Sequence, residues 1–349
     1  MVNLPQIVAM RYAFLIFFLC TIHMVKAQLK QRGNNIVLVV HGGAGTILKS
    51  QMDAGKEQAY KTAISEALEK GYEILYNGGS SVDAVEAAIR ILEDNPLFNA
   101  GKGAVFANSG KNELDASIMN GQTLEAGAVA GVTTIKNPVS AARAVMEKSS
   151  HVMMAGAGAE AFAQKQGLTI VDPSYFFTKE RWEALQKTKR EDSLNAKAGK
   201  KDNSAVVKTD PKFGTVGAVA LDKQGNLAAA TSTGGMTNKR YGRIGDSPVI
   251  GAGTYANNAT CAVSCTGWGE FFIRLVMAKT VSDMMEFGKM SLRQATEEMI
   301  MKRLPALGGD GGLIAVDREG NISFPFNTAG MYRGYIKKDG IKVINIYKN

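Results

Sequence analysis

Cysteine is scarce in this chain, three in 349 residues, and Cys20 falls in an N-terminal apolar stretch, leaving Cys261 and Cys265 to the rest. Two thiols cannot staple a chain of this size, so a disulfide-dense scaffold is excluded. At a spacing of four on a strand they face one side some distance apart, and both read as small buried residues. Histidine is as rare, and only His41 and His151 lie beyond the N-terminal stretch. No zinc-ligand spacing can be assembled from these residues; a histidine base at His41 stays open without being required. The one apolar run, residues 12–19, is too short to span a bilayer. Internal repeats, a phosphate-loop lysine, an RNA-binding signature and aromatic interleaving are all missing. The net charge of +9 is therefore not a nucleic-acid face, and much of it collects in residues 187–212, a solvated segment.

What is present begins with a leader. Residues 1–27 combine Arg11, the apolar run and Val25-Lys26-Ala27 ahead of Gln28, the pattern of an exported protein cleaved after Ala27. The bulky Leu19 before Cys20 argues against lipid attachment, and Met10 is a competing start. Export places the product in the periplasm or outside the cell. Without Arg11 and Lys26 the net charge falls to +7 over about 320 residues, enough for one large or two ordinary domains.

Hydrophobic periodicity gives an alternating order. A strand over 35–40 runs into the glycine-rich loop 41–45; helices follow over 53–76 and, capped by Ser81, over 83–93. Strands are expected at 104–107, 113–120 and 126–135, and a helix at 138–148. The pattern implies layered α/β, helices covering a mixed sheet. From 187 to 213 periodicity lapses and a linker is expected. Strands then cover 215–222 and 227–232, and a strand-to-helix join at 264–270 leads into a helix over 271–287. Such a join leaves backbone N–H groups free to bind an oxyanion.

At the end of the linker stands Gly214-Thr215. A threonine hydroxyl inside a chain is a poor nucleophile, but cleavage before Thr215 would give it an α-amine, which ordinarily titrates at about 7.7 to 8.0, as its own base. Alone, the segment reads first as the opening of a strand.

Eight segments in order, HGGAG (41–45), NPLFNAG (95–101), GTVGAVALD (214–222), TSTGGMTNK (231–239), GRIGDSP (242–248), SCTGWGE (264–270), LPALGGDGG (304–312) and PFNTAGMYR (325–333), resemble the plant-type asparaginase and isoaspartyl peptidase family of N-terminal-nucleophile hydrolases. The match covers the chain from about Ile36 onward. The resemblance implies a four-layer αββα sandwich and a precursor that cuts itself at Gly214-Thr215. Residues 28–214 would become an α subunit and 215–349 a β subunit, one folded unit that pairs into a dimer of heterodimers. It further implies hydrolysis of isoaspartyl dipeptides and L-asparagine to L-aspartate through an acyl-enzyme on Thr215. Thr233 would orient the nucleophile, Thr266 and Gly267 supply the oxyanion hole, and Asn99 sit beside it. Arg243 and Asp246 would hold the substrate carboxylate and ammonium, with Gly269 adding a main-chain contact. The loop 92–102 resembles a structural sodium site built from the carbonyl oxygens of Leu92, Glu93, Asn95, Phe98, Ala100 and Lys102; no catalytic cofactor is implied.

Two departures from the family pattern bear on specificity. Trp268 stands between two glycines where a small residue is expected, and Arg240-Tyr241 replace an expected Leu-Pro. Competing functions are a glycosylasparaginase, which shares the nucleophile and the Arg-Asp pair, and an exported binding protein with a dead site.

Overall fold

The computed structural model describes residues 35–197 and 214–348; the expected leader, its cleavage point and the remainder of the linker lie outside the described residues. Twelve strands form two sheets. In chain order they are β1 (Val37–Gly45), β2 (Leu114–Asn120), β3 (Ala126–Val132), β4 (Met153–Ala155), β5 (Val216–Leu221), β6 (Leu227–Thr233), β7 (Thr254–Ala256), β8 (Cys261–Gly267), β9 (Gly311–Asp317), β10 (Ile322–Ser323), β11 (Gly330–Lys337) and β12 (Lys342–Tyr347). The larger sheet has the order β12-β11-β1-β5-β6-β2-β3-β4, the smaller β10-β9-β8-β7. All neighbours are antiparallel except β3 and β4.

Helices α1 (Ala54–Tyr76), α2 (Ser81–Glu93), α3 (Pro138–Lys148) and α4 (Gly156–Lys165) cover the outer face of the large sheet, where Leu38, Val40, Leu68, Ile89 and Val145 are fully buried. After α5 (Lys179–Lys197), helices α6 (Gly269–Arg274), α7 (Met277–Glu286) and α8 (Leu292–Glu297) cover the small sheet. Val37, Val39, Val219, Val263 and Leu313 fill the space between the sheets. The alternation of inward and outward residues along β1 is the period-two signature of a strand buried on both faces by different layers. The result is the expected αββα sandwich. Strands from either side of Gly214-Thr215 interleave, β1 pairing with β5 and β2 with β6.

Several expectations need correction. The glycine-rich segment 41–45 is part of β1, bulged between His41 and Gly43, because β11 continues alongside it. Residues 104–107 are not a strand: their backbone groups turn to Asn99, Lys111 and Asn112 rather than to a neighbouring ladder. Ser80, not Ser81, caps α2, its hydroxyl accepting from the Asp83 N–H at 3.1 Å. The helix expected over 271–287 breaks at Val276, whose φ of 44° is left-handed and costly for a β-branched residue. The short edge strand β4 and helix α4 escaped the periodicity reading.

The largest correction is α5. Residues 187–197 are helical, not linker. Their Lys, Arg, Glu and Ala are good helix formers, but so few are apolar that no stripe shows. The helix is tied down by scattered anchors instead. Leu185 is fully buried, Arg181 donates to the carbonyls of Gly103 and Leu97 at 2.9 and 3.2 Å, Trp182 meets Phe106 edge to face, and Lys189 donates to the Asn108 carbonyl. Leu185→Ala should therefore cost about 2–5 kcal/mol in a urea unfolding measurement.

Candidate active site

The register of the large sheet assembles the centre. Val216 pairs with Ser232, which sets Thr215, one residue earlier, beside Thr233, one residue later. Their hydroxyls lie 3.2 Å apart, Thr215 donating, and Thr233 in turn accepts the Gly235 N–H at 3.0 Å. Both threonines are buried yet line a cavity of about 520 Å³.

Glycine permits the approach on the other side of the Gly214-Thr215 bond. Gly43 has φ 110°, and a Cβ there would stand 2.5 Å from Gly214 Cα; a Cβ on Gly214 would stand 2.6 Å from Thr266 Oγ1. Two backbones and the Thr266 hydroxyl thus meet at van der Waals distance around the bond. Thr266, the penultimate residue of β8, accepts the Ala44 N–H at 3.3 Å and is followed by Gly267 in the cavity wall. Asn99 completes the floor: its Nδ2 donates to the Gly235 carbonyl at 2.8 Å and its Oδ1 accepts the Val105 N–H at 3.0 Å.

Arg243 and Asp246 close the far end. A Cβ on Gly269 would stand 2.8 Å from Asp246 Oδ1 and 3.0 Å from Arg243 Nη2, so only glycine fits between them. Asp246 is buried, its Oδ2 lacks a hydrogen-bond partner, and burial pushes its carboxyl up to about 7 although the Arg243 charge opposes the shift. An unpaired buried carboxylate oxygen is a place for a cation or N–H donor to bind. Arg243 holds a carboxylate already, that of Glu270, through Nε and Nη2 at 2.9 and 2.8 Å. Both residues line the cavity, and the pairing is the two-pronged geometry in which a guanidinium grips a carboxylate.

Three features escaped the sequence reading. Glu270 is one. Another is buried Lys239, which donates to the Glu113 carbonyl at 2.9 Å and lies 3.9 Å from the Asp115 carboxylate; burial lowers the ammonium pKa and raises that of Asp115. The third is a chain of buried hydroxyls between the sheets, His41 Nε2 to Ser264 at 3.1 Å, Ser264 to Thr231 at 2.7 Å, and on through Thr254 to Ser117. Burial drives His41 down to about 3. Its Nε2 is engaged by Ser264. Cys261 and Cys265 are buried and unpaired, as their spacing suggested.

In the loop 92–102, a Cβ on Gly101 would stand 2.3 Å from the Glu93 carbonyl oxygen, and one on Gly103 would stand 2.1 Å from that of Phe98 and 2.5 Å from that of Pro96. Three carbonyl oxygens thus lie where a side chain on Gly101 or Gly103 would stand, and oxygen is the donor type that a hard cation takes. The carbonyls of Leu92, Asn95 and Ala100 already accept backbone N–H groups. Among the described residues no cluster of His, Cys, Asp and Glu could hold a metal ion.

The asparaginase family model matches residues 34–346. The chain belongs to the asparaginase family. It is 52% identical over 316 residues to the isoaspartyl peptidase of Salmonella typhimurium, spanning 90% of this chain and 99% of that protein. To the isoaspartyl peptidase of Escherichia coli it is 53% identical over 313 residues, 89% and 96% of the two chains. The plant-type L-asparaginase of Pyrococcus furiosus is 44% identical over 310 residues, 88% and 98%. This asparaginase-family chain is accordingly a hydrolase.

Asn99→Ala removes a donor and an acceptor that bridge two loops of this hydrolase and leaves the buried Val105 N–H unpaired. A loss of about 1–3 kcal/mol is expected in chemical denaturation.

Proposed function

We propose that this protein is a self-processing amidohydrolase that releases L-aspartate from isoaspartyl dipeptides and L-asparagine, with Thr215 as nucleophile. The observation that carries the reading is the Thr215 hydroxyl held on that of Thr233 at 3.2 Å, in a cavity whose far end offers a carboxylate-gripping arginine and an unpaired buried aspartate. The names of the relatives agree with it.

In the precursor, the Thr215 Oγ attacks the Gly214 carbonyl carbon, the C–N bond breaks, and the acyl group passes to oxygen as an ester. Water hydrolyses the ester, leaving a Gly214 carboxylate and a free Thr215 amine. In turnover that amine takes the proton from Oγ as Oγ attacks the side-chain amide carbon. Thr266 and Gly267 face the developing oxyanion, each such donor being worth about 3 kcal/mol. The amine then gives its proton to the departing nitrogen, the C–N bond breaks, and water hydrolyses the acyl-enzyme to L-aspartate. Arg243 binds the substrate carboxylate in place of Glu270, and Asp246 accepts from the ammonium, with Gly269 alongside.

The same reading places a structural sodium ion in the loop 92–102, held by carbonyl oxygens with Glu93 and Phe98 foremost. Its charge would hold that loop, and with it Asn99, in place. Export through residues 1–27 and pairing of two processed units are also part of the proposal.

Thr215→Ala should abolish both events: intact mass should show a single chain, and aspartate release should fall at least about 10⁴-fold. Retained aspartate release by that variant would overturn the nucleophile. Preferential cleavage of N-acetylglucosaminyl-asparagine by the wild type would replace the substrate assignment.

The pH dependence separates two groups. Asp246 has its carboxyl raised to about 7 and binds an ammonium only when ionised, so KM should fall as pH rises through about 7 and level off above it. Loss of a proton from the Thr215 amine acts on kcat, with a midpoint near its ordinary range of about 7.7 to 8.0. Asp246→Asn should raise KM at least about thirtyfold, about 2 kcal/mol, and remove the dependence of KM on pH below 7.

A further inference from the structure

The head-group anchors occupy only part of the cavity. At about 520 Å³ it lies within the range of about 300–1,000 Å³ typical of pockets for drug-sized ligands, more than a single amino acid held by Arg243, Asp246 and Gly269 requires. Beyond the oxyanion loop the wall continues along α6 as Trp268, Phe271 and Arg274. Trp268 is the N-cap of α6, and the spacing of three brings each side chain beside the next, Trp268 to Phe271 and Phe271 to Arg274. The rings of Trp268 and Phe271 meet edge to face with centroids 6.0 Å apart, and the Arg274 guanidinium lies 5.6 Å from the Phe271 centroid. Arg274 is exposed at the rim. Among the described residues no carboxylate lies within ion-pair distance of it.

An aromatic wall that begins beside the oxyanion donors and ends in a cation has the chemistry of a site for an amino acid bearing an apolar side chain and a free carboxylate. We propose that Trp268, Phe271 and Arg274 form a leaving-group subsite that selects isoaspartyl dipeptides with a large apolar second residue and a free C-terminal carboxylate over L-asparagine. The inference rests on the isoaspartyl hydrolase reading of the same cavity. The leaving nitrogen, protonated as the amide C–N bond breaks, departs as the amine of that second amino acid, its side chain against Trp268 and Phe271 and its carboxylate toward Arg274. For L-asparagine the leaving group is ammonia, which touches none of the three.

The test compares kcat/KM of the processed enzyme for β-aspartyl-phenylalanine, its C-terminal amide, β-aspartyl-glycine and L-asparagine. All share the aspartyl head group, so any effect transmitted through the indole hydrogen bond from Trp268 to Glu270 and on to Arg243 divides out of the ratios. The phenylalanine dipeptide should exceed the glycine dipeptide at least about tenfold, and Trp268→Gly should close most of that gap. The free acid should exceed its amide about fivefold in the wild type, and the two should be equal in Arg274→Gln. Processing to a Thr215 N-terminus reports that each variant has folded; should Trp268→Gly fail this, the Arg274→Gln comparison of acid and amide decides. Equal rates for the phenylalanine and glycine dipeptides in the wild type, or an acid preference that survives Arg274→Gln, would overturn the subsite and leave the hydrolase reading intact. A processed enzyme that cleaves no β-aspartyl dipeptide would overturn the hydrolase reading itself.

Discussion

The antiparallel register between β5 and β6 is the constraint on which the site depends. Because Val216 faces Ser232, the residues just outside that pair, Thr215 and Thr233, are forced together at the end of the ladder. A slip of one residue would turn every side chain of β5 to the opposite layer, putting Val219 and Leu221 of the inter-sheet core against the helices. Packing of two different faces therefore fixes the hydroxyl contact more firmly than the contact could fix itself, since a single hydrogen bond is worth only about 1 kcal/mol net.

Around this fixed pair the site is built largely from backbone proximity, and that is why so much of it was legible. Gly43, Gly214, Gly267 and Gly269 stand where any side chain would collide with main chain or with a site residue, so the chemistry leaves its mark as glycine at particular places in sequence. Thr215, Thr233, Asn99, Arg243, Asp246 and Gly267 meet around one cavity because the segments carrying them come together at the same edge of the two sheets. Helices α1 and α3 were readable from their apolar stripes.

What escaped reading escaped for physical reasons. Helix α5 is held by Arg181, Trp182, Leu185 and Lys189, two cations on carbonyls, one indole and one aliphatic side chain, which leaves no hydrophobic period to detect. Residues 104–107 have strand composition but satisfy their backbone through Asn99 and Asn112, partners that composition does not indicate. Glu270 and the pair of Lys239 with Asp115 are ion pairs across long sequence separations; charge alone does not say which carboxylate meets which cation. The hydroxyl chain from His41 to Ser117 is similar, since each member is a plausible strand residue and only the stacking of the two sheets joins them.

The interleaving of strands also has a kinetic side. β1 near the start of the chain lies between β5 from its middle and β11 from its end, so it cannot pair with either neighbour until loops of well over a hundred residues have closed. Contacts of such separation form slowly, because chain entropy is lost before the pairing compensates for it. The cavity, which draws on Asn99, Thr215, Arg243 and Gly267 together, is thus among the last parts of the molecule to take shape. A partly folded chain, or one stalled before β11 docks, has these residues without their geometry, and under the proposed mechanism self-cleavage before Thr215 would be a report that folding has finished.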